Sequence, residues 1–401
     1  MLMPTRVRVF DIPYLDAPPQ YETVEGDTPY PQIRLPSGHV AAHLIRYEDV
    51  RKVLADTSVS RTACNVEGGP TFLPGPTQKE LLLNLDMPDH ARSRLLVTKD
   101  FSPRGVESVR QVVEETVNRC ITEMLSGERP ADVFQSVLQE VTVTTVCQIL
   151  GIPFQDHKTF RRWSQIIQVA PRDDIPGIEE AVKASHDYLM DFVRGSREAR
   201  ADGFIRRQVD ARRDGLQPLS DEEIVGVLLG ILLGGDHNCL SVMSKCVYTL
   251  LCAPLLWQKL VDDPGRVPAM IEELIRVIPI GKLSTFPRIA TQAIETSVGR
   301  VPAGSPFYAN VFLANRDPEA FPDPLTIDPD RKGKSHIQFG VGIHSCMGFA
   351  LARMEIAIVL NALLQHVPSI ALDADPASLQ WINGTVLRRP DQLPVRWTQA
   401  S

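Results

Sequence analysis

The sequence predicts a mainly α-helical fold with a minor β portion. Three observations carry that reading. Apolar residues recur at helical spacing over most of the chain between Tyr47 and Asp263. One such stretch, Asp221–Leu250, is about 30 residues long, roughly 45 Å at helical rise, enough to cross a whole domain. Short apolar runs punctuated by turn residues are confined to Tyr21–Arg46, Arg288–Ala314 and Leu379–Trp397.

Taken in order, Ile33-Arg34-Leu35, the turn Pro36-Ser37-Gly38-His39 and the run Val40 to Ile45 read as a β-hairpin. Helical periodicity then predicts helices over Tyr47–Asp56, Pro103–Ser126, Asp132–Leu150, Phe160–Gln168, Glu179–Asp214, Asp221–Leu250 and Pro254–Asp263. Ser220 before Asp221-Glu222-Glu223 is an N-cap signal for the long helix. Gly68 to Lys79 is rich in Gly and Pro and reads as a loop lining a pocket. The tail reads as a hairpin turning near Asn383-Gly384. No internal repeat or low-complexity linker divides the chain, so residues 1–401 are expected to form one domain.

Composition narrows the function. With 43% hydrophobic and 23% charged residues, there is ample material for a core. A net charge of -7 disfavours nucleic acid as a partner. Met1 to Pro13 holds no long apolar run, so the expectation is a cytoplasmic protein with no membrane anchor. The seven cysteines are scattered, odd in number and without a C-x-x-C pair, which suggests neither zinc nor a disulfide framework.

Chemistry concentrates in Phe339-Gly340-Val341-Gly342-Ile343-His344-Ser345-Cys346-Met347-Gly348. A cysteine in a glycine-rich loop directly before an amphipathic helix suits a metal-binding thiolate. Glycines let backbone N–H groups approach the sulfur, and the helix directs its positive end toward it. The pattern F-x-x-G-x-H-x-C-x-G, followed by Leu351-Ala352-Arg353, resembles the haem-binding signature of the cytochrome P-450 superfamily, soluble bacterial type. The resemblance extends from about Tyr21 to Trp397. It implies a triangular helical prism holding haem b (iron protoporphyrin IX) between the Asp221–Leu250 and Gly348–Leu364 helices. It also implies a small-molecule substrate, dioxygen as oxidant, and electrons from a ferredoxin and ferredoxin reductase. Cys346 takes the iron-ligand position, with Phe339 and Gly348 beside it. Glu273 and Arg276, at i and i+3, resemble the family's E-x-x-R brace. Ala314-Asn315-Arg316-Asp317-Pro318 and Phe321-Pro322-Asp323-Pro324 resemble its meander. His90 and Arg94, at i and i+4, with Arg288 and His344, fall where the family contacts the haem propionates.

The long helix departs from the family pattern of small residue, Gly, any residue, acid, Thr, which organises proton delivery to bound dioxygen. Here the run is Leu233-Gly234-Gly235-Asp236-His237-Asn238-Cys239. With Gly235 as the family glycine, His237 takes the acid position and Asn238 the threonine position. A slip by one puts Asp236 at the acid and His237 at the alcohol. Two readings stay open. Asn238, His237 or water replaces the relay and ordinary hydroxylation survives, or the site performs oxidative C–C or C–N coupling. Asp236 and His237 can also serve simply as bonds to a neighbouring helix or to a propionate. A looser likeness, in Tyr14-Leu15-Asp16-Ala17-Pro18-Pro19 and Gly234–Asn238, is to actinobacterial members that couple tryptophan-containing diketopiperazines. Family register adds pocket walls bearing Asn65, Gln168, Leu233, Gly234, Ser284 and Thr385, suited to a flat, moderately polar aromatic molecule. A haem sensor would not need the brace, the meander and a thiolate together. A peroxide-driven member usually brings an Arg or a substrate carboxylate to the oxygen face, and Leu232–Ser241 holds no Arg.

Overall fold

The computed structural model describes residues 6–16, 21–73, 75, 77–170, 174–384 and 386–398. Ala17 to Pro19 of the opening run and Thr385 lie outside them. Helices α1 (Tyr47–Ala55), α2 (Asp89–Thr98), α3 (Pro103–Ser126), α4 (Gln139–Leu150), α5 (His157–Val169), α6 (Ile175–Val193) and α7 (Phe204–Arg213) precede a central pair, α8 (Asp221–Gly235) and α9 (His237–Cys252). Then come α10 (Pro254–Asp262), α11 (Val267–Val277), the short α12 (Val311–Ala314) and α13 (Phe349–His366).

Local chemistry sets the boundaries. Ser102 caps α3 by accepting the Gly105 N–H, with Pro103 at the first helical position, where a missing N–H costs nothing. Ser220 and Glu223 form a reciprocal capping box at the start of α8. Gly151 ends α4 in the left-handed region (φ +79°), and a Cβ there would meet the Gly203 backbone at 2.5 Å. That close approach helps explain why the single helix expected over Glu179–Asp214 is two. The chain turns at Gly195 (φ +78°) and passes against Gly151 before α7. The helix expected from Asp132 begins as a π-helical turn, Phe134–Leu138, and continues into α4.

A six-stranded sheet has the order β1 (Glu22–Val24), β2 (Gln32–Arg34), β3 (Val40–Leu44), β9 (Pro306–Ala309), β6 (Arg288–Ala290), β4 (Val59–Ser60). The expected hairpin is β2–β3, pairing Ile33 with Ala41. Strands β3 and β9 run parallel, joining the two ends of the chain. Smaller sheets are β10 (Ala371–Leu372), β13 (Pro394–Arg396) and β5 (Ala131–Asp132); β11 (Trp381–Asn383) and β12 (Arg388–Pro390); and β7 (Ile294–Thr296) and β8 (Gly299–Val301). The tail hairpin is β11–β12, closing with Asn383 opposite Arg388.

The central pair lies inside two apolar clusters. Leu240, Met243 and Val247 of α9 pack with Val113 and Val117 of α3, Leu274 of α11 and Val359 and Leu363 of α13. Leu228 and Leu232 of α8 pack with Val143 and Cys147 of α4 and Leu189 and Phe192 of α6. Asp221–Cys252 and α13 are long and apolar enough to cross a membrane, but most of each is buried in protein, which explains their composition.

The expected unbroken helix from Asp221 to Leu250 is interrupted at Asp236 (φ -85°, ψ -86°). Gln168 Nε2 donates to Leu233 O at 2.9 Å, a carbonyl that a regular helix would give to the His237 N–H. Thr142 Oγ1 donates to Asp236 Oδ1 at 2.9 Å. The break follows the pair Gly234-Gly235 and is held by side chains of α4 and α5.

Candidate active site

The cysteine loop is tightly tied. Cys346 N–H donates to Phe339 O at 2.7 Å, and Arg94 Nη1 donates to Ile343 O at 2.9 Å. Gly340 and Gly342 hold φ of +71° and +78°, so the turn uses conformations that side chains resist. A Cβ on Gly342 would lie 2.4 Å from Leu54 O. The Cys346 side chain is exposed, yet the protein packed around the loop still pushes its thiol up. The Gly348 N–H, Arg94 and Arg353 pull the other way. The protein alone therefore does not lower this thiol, contrary to the simple expectation from a helix terminus; a bound metal cation would supply the missing stabilisation. Phe339 lies under the Arg353 guanidinium (4.6 Å), and Arg353 bonds Glu272 on α11, fixing the start of α13.

Around the loop gathers positive charge. The His90 and His344 rings meet edge to face at 4.5 Å. Burial, then neighbouring Arg and His groups, pushes His344 down to about 3; burial, then Arg94, pushes His90 down to about 4. Arg288 is buried, with Nε and Nη1 lacking a partner. Beside it stands Arg61, which sequence reasoning missed. Arg61 is also buried and donates to Pro287 O, Leu83 O (3.2 Å) and Asn84 Oδ1 (3.2 Å). Burial lowers both guanidinium groups to about 10. Asp86, the nearby carboxylate, is committed to Ser60 Oγ and the Arg61 N–H. Unpaired buried guanidinium atoms beside a spent carboxylate call for an additional anion. The two carboxylates of a haem fit that demand, and an exposed thiol fits its iron.

Glu273 and Arg276 form a bidentate pair at 2.7 and 2.8 Å, with side chains 5% and 2% exposed. Arg276 also donates to Asn315 O and Pro324 O, both at 2.9 Å, so α11 grips the expected meander. Arg331, not anticipated, completes the set by donating to both Glu273 oxygens at 3.1 and 3.3 Å.

The central helix has an open face and a closed one. Gly234 is exposed, while Gly230, Leu233 and Asn238 are half-buried; a Cβ on Gly230 or Gly234 would meet nothing within 4 Å. Gly230 and Gly234, four residues apart in α8, share one row, and past the break Asn238 is half-buried where Asp236, His237 and Cys239 are buried. Asp236 and His237 are instead 0% exposed. His237 Nε2 lies 3.3 Å from Arg161 O, and burial holds its imidazole below the ordinary value. Of the three candidates in this run, only Asn238 shares the open face.

The pocket candidates divide similarly. Asn65 spends its amide on its own loop, donating to Thr77 O (2.8 Å) and accepting the Thr77 N–H (2.9 Å). Gln168 braces Ser164 and Leu233 O. Ser284 bonds Tyr308 OH (2.9 Å) and Asn310 Oδ1 (3.2 Å). Two residues of α9 that sequence reasoning did not single out grip the segments expected to form the pocket walls. Ser241 Oγ donates to Ile280 O (2.8 Å) and Arg388 O (3.0 Å), and buried Lys245 donates to Pro279 O and to Ile280 O (2.8 Å). A Cβ on Gly281 would lie 1.9 Å from Val386 O, so the two wall segments touch backbone to backbone.

A helical prism with a cysteine loop before α13, a buried cationic cluster and a buried Glu–Arg brace defines a haem-thiolate oxidoreductase. The chain belongs to the cytochrome P-450 family: the family model described as Cytochrome P-450 matches residues 266–386, and relatives match over nearly the whole length. It is 34% identical over 378 residues to mycinamicin IV hydroxylase/epoxidase of Micromonospora griseorubida, covering 94% of this chain and 95% of that one. It is 33% identical to nocardicin C N-oxygenase of Nocardia uniformis subsp. tsuyamanensis, covering 96% of each. The solved structure of cytochrome P-450mel 107F1, described as having biaryl coupling reactivity, superposes with a TM-score of 0.86 at 30% identity over 97% of this chain and 98% of that one.

Proposed function

We propose that this single-domain, cytoplasmic enzyme of secondary metabolism joins aromatic units by oxidative C–C or C–N coupling, on a substrate of diketopiperazine type. The observation that carries the reading is the open face of the central helix. Asn238 stands there without a hydroxyl, while Asp236 and His237 are turned into the protein. An arrangement without a proton-donating alcohol beside the reacting centre suits removal of electrons and hydrogen from substrate better than oxygen insertion. The biaryl coupling of the structural neighbour lends support.

Cys346 would ligate the iron of haem b, with Arg288, Arg94, His90 and His344 receiving its propionates and Phe339 and Gly348 flanking the sulfur. When bound, the haem supplies dioxygen activation and one-electron oxidation, using electrons from a ferredoxin and its reductase. The chain's own groups set the rest. Gly230 and Gly234 leave room over the haem, Asn238 offers an amide to water or substrate, and the walls near Ser284 and Val386 orient the substrate. The names of the two sequence relatives, a hydroxylase/epoxidase and an N-oxygenase, favour oxygen insertion and so a second reading, in which the enzyme is an ordinary monooxygenase hydroxylating a small apolar substrate. Product mass after turnover with ferredoxin, reductase and NADPH on aromatic cyclic dipeptides separates the two. Products formed by net loss of hydrogen, dimers included, support coupling; products with one added oxygen overturn it.

A further inference from the structure

The buried guanidinium pair, Arg61 and Arg288, is tied to the Gly- and Pro-rich loop through one amide. Asn84, 1% exposed, closes a short helical turn, Leu82–Asn84, just past that loop. Its Oδ1 accepts from Arg61 Nη2 at 3.2 Å, and its Nδ2 donates to Thr77 Oγ1 and to Gln78 O, both at 2.7 Å. A guanidinium only donates and a carbonyl only accepts, so the amide has a single orientation. Thr77 passes the tie on: its N–H and its hydroxyl both donate to Asn65 Oδ1, at 2.9 and 3.2 Å. On the other side Arg61 donates to Pro287 O, next to Arg288, and after burial the charge of Arg61 is what most depresses the Arg288 guanidinium. Two buried cations side by side are costly to keep inside, and the single carboxylate of Asp86 cannot balance both. The loop is also pinned by packing. Phe72, 1% exposed, meets the Tyr308 ring at 4.9 Å, and a Cβ on Gly226 of α8 would lie 2.5 Å from Glu80 O.

We propose that Asn84 is a positioning residue that makes the pocket loop and the guanidinium pair one unit. The anion held by Arg61 and Arg288 keeps Arg61 inside, Arg61 holds Asn84, and Asn84 holds Thr77 and with it the loop. This rests on the reading of the pair as the site of the haem carboxylates. Coupling of this kind is reciprocal. The ordered loop keeps Arg61 aimed at the carboxylates, and the carboxylates keep the loop ordered. An Asn amide suits the junction because it presents an acceptor to the guanidinium and two donors to the loop; Asp offers only acceptors and Leu offers neither. The shape of the loop expected to line the pocket is thereby set by the cofactor as well as by the substrate.

Three variants of the haem-loaded protein test it. Asn84→Leu removes both ends of the junction, Arg61→Met removes only the guanidinium end, and Asn84→Asp keeps an oxygen toward Arg61 but loses both donors to the loop. Hydrogen exchange, followed by mass spectrometry on peptides carrying the Gly69 and Thr77 amides, should be at least tenfold faster in Asn84→Leu and in Arg61→Met, although the Arg61 side chain bonds only Leu83, Asn84 and Pro287. Unchanged loop exchange in Arg61→Met overturns the proposal. Haem transfer to apomyoglobin should be at least threefold faster in Asn84→Leu, and the propionate bending band in its resonance Raman spectrum should shift. Both should return to wild type in Asn84→Asp while the loop stays loose. Haem loss and band unchanged in Asn84→Leu, or not restored in Asn84→Asp, overturn the positioning role. If Arg61→Met does not fold, the contrast between the two Asn84 variants in haem loss decides alone. A wild type whose carbon monoxide spectrum lacks the thiolate signature sinks the haem reading instead, and loop exchange in the protein as purified still decides whether Arg61 holds the loop.

Discussion

Gly340 and Gly342 share a backbone conformation but not a neighbourhood, and replacing each with Ala separates two costs. Both sit near φ +70 to +80°, where a Cβ costs about 1–2 kcal/mol. At Gly340 the nearest atom to an added Cβ is Ser345 Cα at 3.7 Å, an ordinary contact, so Gly340→Ala should lose only that amount. At Gly342 the Cβ would lie 2.4 Å from Leu54 O and 2.9 Å from Ala55 Cα, both in the backbone of α1 or directly bonded to it. The loop must retreat from the helix, adding an overpacking cost of about 1–3 kcal/mol. Gly342→Ala should therefore lose about 2–5 kcal/mol in all. Because the loop ends at Cys346, the retreat should also reduce haem retention. The assay is the urea midpoint of each haem-loaded variant, with the carbon monoxide difference spectrum reporting thiolate ligation. Asn sharpens the comparison, since it tolerates positive φ yet keeps a Cβ: it should nearly rescue position 340 but not 342. Equal losses at the two positions, or a rescue at 342, would refute the reasoning.

Other outcomes follow from the same structure. Arg276→Met strips a buried carboxylate of its bidentate partner and should cost about 3–5 kcal/mol in urea unfolding, because Arg331 and the Asp328 N–H hold Glu273 only in part. His43 is buried against Asn310 and pushed down to about 4 by burial, so the unfolded chain takes up its proton first. Its contribution is complete above about pH 6.5 and lost as pH falls toward 4, at most ~3 kcal/mol, and His43→Phe should flatten the stability profile in that window. Asn238→Thr should raise the share of oxygenated product in mass spectra; an unchanged product ratio would remove Asn238 from the argument. Lys245→Met leaves Pro279 O without its donor and should weaken substrate binding about tenfold by spectral titration, with the carbon monoxide spectrum unchanged.

Local chemistry explains what was legible. The β2–β3 hairpin could be read because Pro36 to His39 is rich in turn residues and Gly38 does adopt φ +86°. The Glu273–Arg276 pair could be read because residues three apart on a helix must meet. The break at Asp236 could not, since helical apolar periodicity resumes beyond Gly234–Asn238 and the side chains that hold the break lie on α5 and α4, 65 and 94 residues away in the chain. Arg61, Lys245 and Glu355 were hidden for another reason. A charge just past a short strand, as at Arg61, or on a helix ordinarily signals a solvent face, and only the packed fold shows these three to be inside. Asn65 misled in the opposite sense: a polar group in a pocket loop looks available, but its amide holds the loop's own shape.

The grip of α9 on Pro279, Ile280 and Arg388 makes three distant pieces of chain one rigid body. A substrate cannot reshape that side of its chamber without dislodging a helix that also packs on α13, next to the cysteine loop. Fit to new molecules would then be tuned along the Gly- and Pro-rich loop, where changes leave both the cysteine loop and the α5 contacts that hold the central-helix break in place. One bank keeps the chemistry constant while the opposite bank is free to diverge.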